Sequence, residues 1–167
     1  MLSIFMHLTY LSLGTNLGDR RQNLLKAIER ISEQIGSVKA QSSFIETEPW
    51  GFASDNLFLN AVISVETPLS PHALLRRLQA IERQLGRNEK TPSTVPDGAV
   101  RQDALPRYQD RIIDIDILLY YEHTHTKATY GTPDWGGSLQ IHTPSLTIPH
   151  PHMHQRDFVL IPLKEIL

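Results

Sequence analysis

The segment from Arg111 to Tyr121 constrains the fold more than any other part of this sequence. Its first half alternates isoleucine with aspartate and its second half is continuously apolar, a pattern that predicts a β-strand. Side chains alternate along a strand, so Asp114 and Asp116 share one face while the isoleucines occupy the other. The acidic face is expected to continue into Leu118 and Tyr120, and the strand is therefore predicted to be covered on both sides.

The other elements are predicted from apolar spacing and from glycine and proline positions. Apolar residues at helical spacing predict one helix that ends at Gly36 and a second that runs from Pro71 to Gly86. Further strands are predicted at His7–Leu13, Val38–Thr47 and Leu57–Glu66. The order β-α-β-β-α-β predicts an α+β fold with a ferredoxin-like core sheet and its helices on one face. We expect a long functional loop at 88–107 and an inserted β arm at 122–142.

Composition excludes several classes of protein. With 40% apolar and 20% charged residues, the 167-residue chain is neither disordered, nor collagen-like, nor a membrane bundle. A net charge of −2 argues against a general nucleic-acid binder. The absence of cysteine removes thiolate chemistry and is compatible with the cytoplasm, the expected location. The apolar start of the chain is too short to span a membrane and shows no signal-peptide cleavage pattern, so no membrane partner is expected.

Two charged groups are candidates for phosphate chemistry. Carboxylates spaced like Asp114 and Asp116 can share one or two Mg²⁺ ions, although an edge strand with a solvated polar face has the same pattern. On a covered strand the two charges would repel each other unless a cation lay between them. Guanidinium groups pair with polyphosphates, or else form solvated surface, and the candidates are Arg87, Arg107, Arg111 and Arg156.

Histidines and aromatic residues leave further alternatives open. The alternating His150, His152 and His154 can bind zinc or form a solvated run. Flat aromatic side chains either pack in the core or stack on a planar heterocycle, and the candidates are Trp50, Phe58, Tyr108 and Phe158. Asn60 shares a strand face with Phe58 and can hydrogen-bond a ring edge.

Six ordered motifs resemble one family. They are Ser12-Leu-Gly14-Thr-Asn16-Leu, Ser42-Ser-Phe-Ile-Glu-Thr47-Glu-Pro49, Phe58-Leu-Asn60-Ala, Ile81-Glu82-x-x-Leu-Gly86-Arg87, Arg111-x-x-Asp114-x-Asp116-Ile-Leu and Ile148-Pro149-His150-x-x-Met-x-x-Arg156-x-Phe158. Together they resemble the 6-hydroxymethyl-7,8-dihydropterin pyrophosphokinases of folate biosynthesis. The resemblance implies a single domain, residues 1–167, that acts as a monomer on two small molecules. It would transfer pyrophosphate from ATP to the pterin hydroxymethyl group and release AMP.

The resemblance also implies roles for individual residues. Asp114 and Asp116 match the ligands of two Mg²⁺ ions and, with Arg87 and Arg111, the catalytic set. Contacts to the pterin match Thr47, Pro49, Trp50, Phe58, Asn60 and Phe158. Contacts to ATP match Gln79, Glu82, Arg87, Tyr108, Arg111, Ile117, Thr147, His150 and Arg156.

Some positions depart from the family pattern. They are Glu89, Asp110, Ser145 and Pro151, together with a longer 88–107 loop and an enlarged arm. Alternatives to the enzyme are a ferredoxin-like module that binds single-stranded RNA and a metal-binding domain that uses the tail histidines.

Overall fold

The computed structural model describes residues 4–50, 53–86 and 110–167. Arg87, Arg107, Tyr108 and the predicted loop at 88–107 lie outside the described residues. The described strands are β1 (His7–Thr15), β2 (Ser37–Gln41), β3 (Ile45–Thr47), β4 (Phe58–Thr67), β5 (Asp114–Tyr121), β6 (Ile141–His142) and β7 (Thr147–Ile148). The helices are α1 (Arg20–Gln34), α2 (Pro71–Gln84) and α3 (Asp157–Ile166), and a 3₁₀ helix covers Met153–Gln155.

The main sheet has the order β2-β4-β1-β5, with β3 also paired to β4, and every pairing is antiparallel. The predicted strand Val38–Thr47 is divided into β2 and β3. At the break, the Ser42 backbone N–H donates to the Val62 carbonyl, and the Ser42 hydroxyl accepts from the Val62 N–H. A side-chain oxygen thus replaces a backbone acceptor, which explains why the strand is interrupted. The prediction of an α+β fold built on an antiparallel sheet is confirmed.

Helices α1 and α2 pack on one face of the sheet, as their apolar spacing predicts. Asp19 caps α1 by accepting a hydrogen bond from the Gln22 N–H at 3.1 Å, and Pro71 occupies the first turn of α2. Their buried side chains share one core with the sheet, and this core includes Leu24, Ile31, Leu74, Leu78, Leu11, Ile63 and Ile115.

Helix α3 lies on the opposite face, so the prediction that the helices occupy one face is wrong. That second face is apolar, with Tyr10, Val62 and Leu119 buried, and it therefore also needs cover. Val159 and Leu163 of α3 pack against it. The apolar tail residues 158–161 lie in the first turns of this helix.

A second expectation, the face on which Tyr120 lies, is wrong because β5 contains a β-bulge. Tyr10 lies opposite Leu119, but Leu11 lies opposite Ile117, so Leu118 is the extra residue. One extra residue reverses the alternation of faces. Tyr120 therefore packs in the core beside α1 and α2, whereas the acidic face was expected to continue into it.

Within the predicted β arm at 122–142, residues 122–140 contain turns and no strand and only Ile141–His142 form the short strand β6, so the predicted arm is not confirmed. Gly131, Gly136 and Gly137 all have positive φ, which favours turns over an extended hairpin. Trp135 also has a positive φ of 56° and is buried against the second face of the sheet. Its carbonyl accepts hydrogen bonds from the Tyr121 hydroxyl at 2.6 Å and from the Thr129 N–H at 2.9 Å.

Candidate active site

A cleft of about 530 Å³, partly open to solvent, lies on the sheet face that α3 covers only in part. It is lined by side chains of β1, β4 and β5, by the residues after β3 and by the start of α3. The lining residues are Ser12, Gly14, Thr47, Glu48, Trp50, Phe58, Asn60, Arg111, Asp114, Asp116, Arg156 and Phe158.

The strand register fixes the floor of this cleft. Gly14 lies opposite Asn60 on one side and opposite Asp114 on the other. In the next row, Ser12 lies opposite Asp116. Because neighbouring strands are about 4.8 Å apart, Asn60 and Asp114 are separated by about 10 Å. Glycine leaves the space between them open, since a Cβ at position 14 would lie 3.0 Å from the Asn60 Oδ1.

The Asn60 end of the cleft is aromatic. Asn60 is buried, and its Nδ2 donates to the Thr47 Oγ1 at 2.7 Å, which fixes the orientation of the amide. The guanidinium of Arg156 lies 4.4 Å from the ring centroid of Trp50 and 5.7 Å from that of Phe158. At these distances cation–π interactions with Arg156 stabilise both rings in their positions.

The Asp114 end of the cleft is charged. The Nη1 of Arg111 lies 2.8 Å from the Asp114 Oδ1, and the Arg111 side chain is only 13% exposed. Asn16, just after β1, holds the backbone of Arg111 from both sides. Its Oδ1 accepts from the Arg111 N–H at 2.6 Å, and its own N–H donates to the Arg111 carbonyl at 3.0 Å.

His150 lies next to this end and is neutral at neutral pH. Burial, together with the positive field of Arg156, lowers its pKa to about 4. The backbone N–H of His152 donates to the His150 Nδ1 at 3.2 Å. In the neutral ring the proton is therefore on Nε2, which can donate to an anion.

Nine of the predicted site residues line the cleft: Thr47, Trp50, Phe58, Asn60, Arg111, Asp114, Asp116, Arg156 and Phe158. Pro49 lines a separate surface depression beside Glu48 and Ser54. The side chain of Ile117 is buried in the core beside α1 and α2, so any contact with ATP would have to come from its backbone. Gln79, Glu82, Thr147 and His150 do not line the cleft, and Arg87 and Tyr108 lie outside the described residues.

Three lining residues were not predicted as site residues, namely Ser12, Gly14 and Glu48. The sequence does contain a signal for the first two. Ser12 and Gly14 alternate with the buried Leu11 and Leu13, so they lie on the other face of the strand. Small residues on that face leave space above it, which indicates a candidate binding surface.

The alternative functions fit the structure less well. His154 stacks on Trp135 at 5.5 Å, whereas His152 faces Trp50 at 6.1 Å, so these two histidines point to different places. Within residues 4–50, 53–86 and 110–167, no group of three histidine or acidic side chains is placed to hold a metal ion. An RNA-binding sheet needs an open face, whereas here one face is packed with α1 and α2 and the other is covered by α3 except at the cleft. None of the helices in the described part of the chain is long and apolar enough to cross a membrane.

Comparisons with known proteins agree with the geometry. The family described as 7,8-dihydro-6-hydroxymethylpterin-pyrophosphokinase matches residues 10–167. A 2-amino-4-hydroxy-6-hydroxymethyldihydropteridine pyrophosphokinase of Porphyromonas gingivalis is 42% identical over 96% of this chain and 91% of its own length. A protein of the same name from Aquifex aeolicus is 34% identical over 96% of this chain and 81% of its own.

Solved structures show the same fold. The Plasmodium falciparum HPPK-DHPS crystal structure with SDX-DHP aligns with a TM-score of 0.59 at 15% identity, over 96% of this chain and 40% of that one. A structure of HPPK-DHPS in complex with substrates aligns with a TM-score of 0.59 at 17% identity, again over 40% of its chain. Family match, close relatives and fold lead to one conclusion: the chain belongs to the 7,8-dihydro-6-hydroxymethylpterin pyrophosphokinase family.

Proposed function

We propose that the cleft binds the pterin at its Asn60 end and the phosphates of ATP at its Asp114 end. The reaction is that of the family, the transfer of pyrophosphate from ATP to the hydroxymethyl group of hydroxymethyldihydropterin in folate biosynthesis. One observation supports this assignment above all: an amide and a carboxylate face the same cleft two strands apart, on either side of Gly14. That spacing suits a substrate whose ring and reacting hydroxyl lie at opposite ends.

At the pterin end, the rings of Phe58 and Phe158 provide apolar faces on which a flat heterocycle can stack. The amide of Asn60 supplies specificity. Because its Nδ2 already donates to Thr47, its Oδ1 is held ready to accept a hydrogen bond from the pterin. Thr47 and Trp50 contribute backbone contacts in this proposal, with Pro49 just outside.

At the phosphate end, Asp114 and Asp116 would hold two Mg²⁺ ions together with ATP. The donor set fits this metal, since Mg²⁺ is commonly bound by one or two carboxylates plus substrate phosphates and water. The described residues offer two cleft-facing aspartates here and no third ligand that would complete a protein cage. When bound, Mg²⁺ supplies neutralisation of phosphate charge.

The cationic side chains of the cleft orient the transferred group. Arg111 lies against Asp114, and its guanidinium would lie beside the phosphate oxygens, where negative charge grows during transfer. His150, which lies beside the cleft and is not cationic, would donate to phosphate from its Nε2. Arg87 would join this set, and the other proposed contacts to ATP are Gln79, Glu82, Tyr108, Ile117, Thr147 and Arg156. The pterin hydroxyl then attacks the β-phosphorus in line, and AMP leaves.

We further propose that residues 1–167 form one domain of ferredoxin-like topology. The sheet order supports this, since β1 and β4 are central and β2 and β5 are at the edges. The reaction on ATP and a reduced pterin supports a cytoplasmic location.

The metal assignment is tested with Asp116→Asn. The substitution keeps the shape of the side chain but removes its charge, so we expect at least about a hundredfold loss of AMP release. The unfolding free energy should be unchanged or higher, because the repulsion with Asp114 is relieved. The control is Asp134→Asn, an exposed aspartate away from the cleft. Wild-type turnover and unchanged Mg²⁺ dependence in Asp116→Asn would refute the assignment.

A further inference from the structure

Asp110 joins three segments that are distant in the sequence. Its Oδ1 accepts hydrogen bonds from the Ser54 hydroxyl and from the Asn16 Nδ2, both at 2.7 Å. Its Oδ2 accepts from the Asn56 Nδ2 at 3.1 Å. These bonds lower the pKa of Asp110, as expected for an ionised carboxylate that accepts several hydrogen bonds. Because all three partners donate, only a group with two acceptor oxygens satisfies them together.

The residues that hydrogen-bond Asp110 are connected to both ends of the cleft. Ser54 and Asn56 belong to the segment between Trp50 and Phe58, two of the residues proposed to contact the pterin. Asn16 uses its Oδ1 and its backbone N–H to hold the backbone of Arg111, the proposed phosphate ligand, while its Nδ2 also donates to the Asn56 carbonyl at 3.3 Å. One carboxylate outside the cleft lining is therefore linked to the pterin side by two bonds and to the phosphate side by one.

We propose that Asp110 is a positioning residue for pyrophosphate transfer, which fixes the segment 54–56 beside the pterin and, through Asn16, the backbone of Arg111. The proposal rests on the proposed roles of the cleft residues. It goes beyond them by assigning a function to a residue that contacts neither substrate. A residue with this role affects both the affinity for the pterin and the rate of the chemical step.

The two connections are separable by mutation. Ser54→Ala removes one of the two pterin-side donors and leaves the bond from Asn16, so we expect the KM for the pterin to rise about threefold with an unchanged kcat. Asp110→Ala removes both connections, and we expect the KM for the pterin to rise about tenfold and kcat to fall about tenfold. Asp110→Asn retains one acceptor oxygen for Ser54 and Asn16, and should restore most of kcat.

The matched control is Glu165→Ala. Glu165 resembles Asp110 in its bonding, since one carboxylate oxygen accepts from both the N–H and the hydroxyl of the distant Ser43, at 2.9 and 2.7 Å. Its loss should lower the urea midpoint to an extent similar to Asp110→Ala without changing either kinetic constant.

Steady-state kinetics of these variants, with urea unfolding of each, test the proposal. Supporting results are the combined change in KM and kcat in Asp110→Ala, rescue of kcat in Asp110→Asn, and no further effect of Ser54→Ala in the Asp110→Ala background. The proposal is overturned if Asp110→Ala loses stability but keeps both constants within about twofold of wild type. If Asp110→Ala does not fold, an unchanged pterin KM in the double variant Ser54→Ala/Asn56→Ala overturns it. Failure of the metal assignment would appear separately, in Asp116→Asn.

Discussion

Replacing Gly14 by alanine tests whether the open floor of the cleft is needed for pterin binding. The new Cβ would lie 3.0 Å from the Asn60 Oδ1 and 3.7 Å from the Phe58 Cδ1. The second distance is an ordinary van der Waals contact, whereas the first forces the amide to move by a few tenths of an ångström. Position 14 is extended and does not have a positive φ, so the backbone itself accepts alanine.

The size of the expected loss in pterin affinity follows from the hydrogen bonding that the Asn60 amide would lose. Moving Asn60 lengthens its 2.7 Å hydrogen bond to Thr47 and turns its oxygen away from the substrate. One such hydrogen bond is worth about 1 kcal/mol, which corresponds to a loss of about fivefold in pterin affinity. The fold should be nearly unaffected, since alanine in a strand gains about 0.5 kcal/mol over glycine and offsets the local strain.

Calorimetry measures both substrates on the same variant. We expect Gly14→Ala to weaken pterin binding about fivefold while a non-hydrolysable ATP analogue binds as it does to wild type. The ATP analogue serves as the internal control, because Asp114 and Asp116 are on the other side of the floor. Wild-type pterin affinity in a folded Gly14→Ala protein would refute the placement of the pterin beside Asn60.

Three further predictions concern charge, pH and packing. Arg111→Lys loses the planar guanidinium whose Nη1 contacts Asp114, so we expect kcat to fall by about tenfold or more with a smaller change in the KM for ATP, as measured by AMP release. His150 is uncharged in the folded state down to about pH 4, while the unfolded state takes up a proton below pH 6.5. His150 should therefore lower the free energy of unfolding by at most about 2 kcal/mol as the pH is reduced from 8 to 5. Urea unfolding of His150→Gln should no longer show this dependence on pH. Gly36→Ala places a Cβ in steric clash with the Glu66 carbonyl oxygen, and we expect a loss of about 3 kcal/mol in the free energy of unfolding in the same assay. A wild-type urea midpoint for Gly36→Ala would contradict that contact.

Much of the core could be predicted because local patterns and tertiary packing agree. The apolar stripe from Leu24 to Ile31 repeats at helical spacing, and both Leu24 and Ile31 are buried against the sheet, whereas Leu25 is exposed. The spacing of Asp114 and Asp116 likewise predicts a shared strand face, and both line one cleft with Arg111. Such features depend on a period within one element, which a sequence displays directly.

Other features depend on contacts between distant elements and leave no periodic trace. The extra residue at Leu118 is determined by the pairing with Tyr10 and Leu11, so alternation alone assigned Tyr120 to the wrong face. Helix α3 was missed because Pro162 lies inside it and interrupts the usual helix signal. The hydrogen bonds between Asn16 and Arg111 join positions 95 residues apart, and neither residue type predicts such a partner.

The position of Arg156 and Phe158 has a consequence for the order in which the enzyme matures. The sheet and the helices α1 and α2 use residues up to Tyr121, whereas one wall of the cleft comes from the start of α3. Every buried member of the core beside α1 and α2 precedes this wall in the sequence, and Ile148 is the last of them. The ribosome therefore makes all the residues of that core before the cleft can be complete, and a chain that stops before residue 156 should lack catalytic activity.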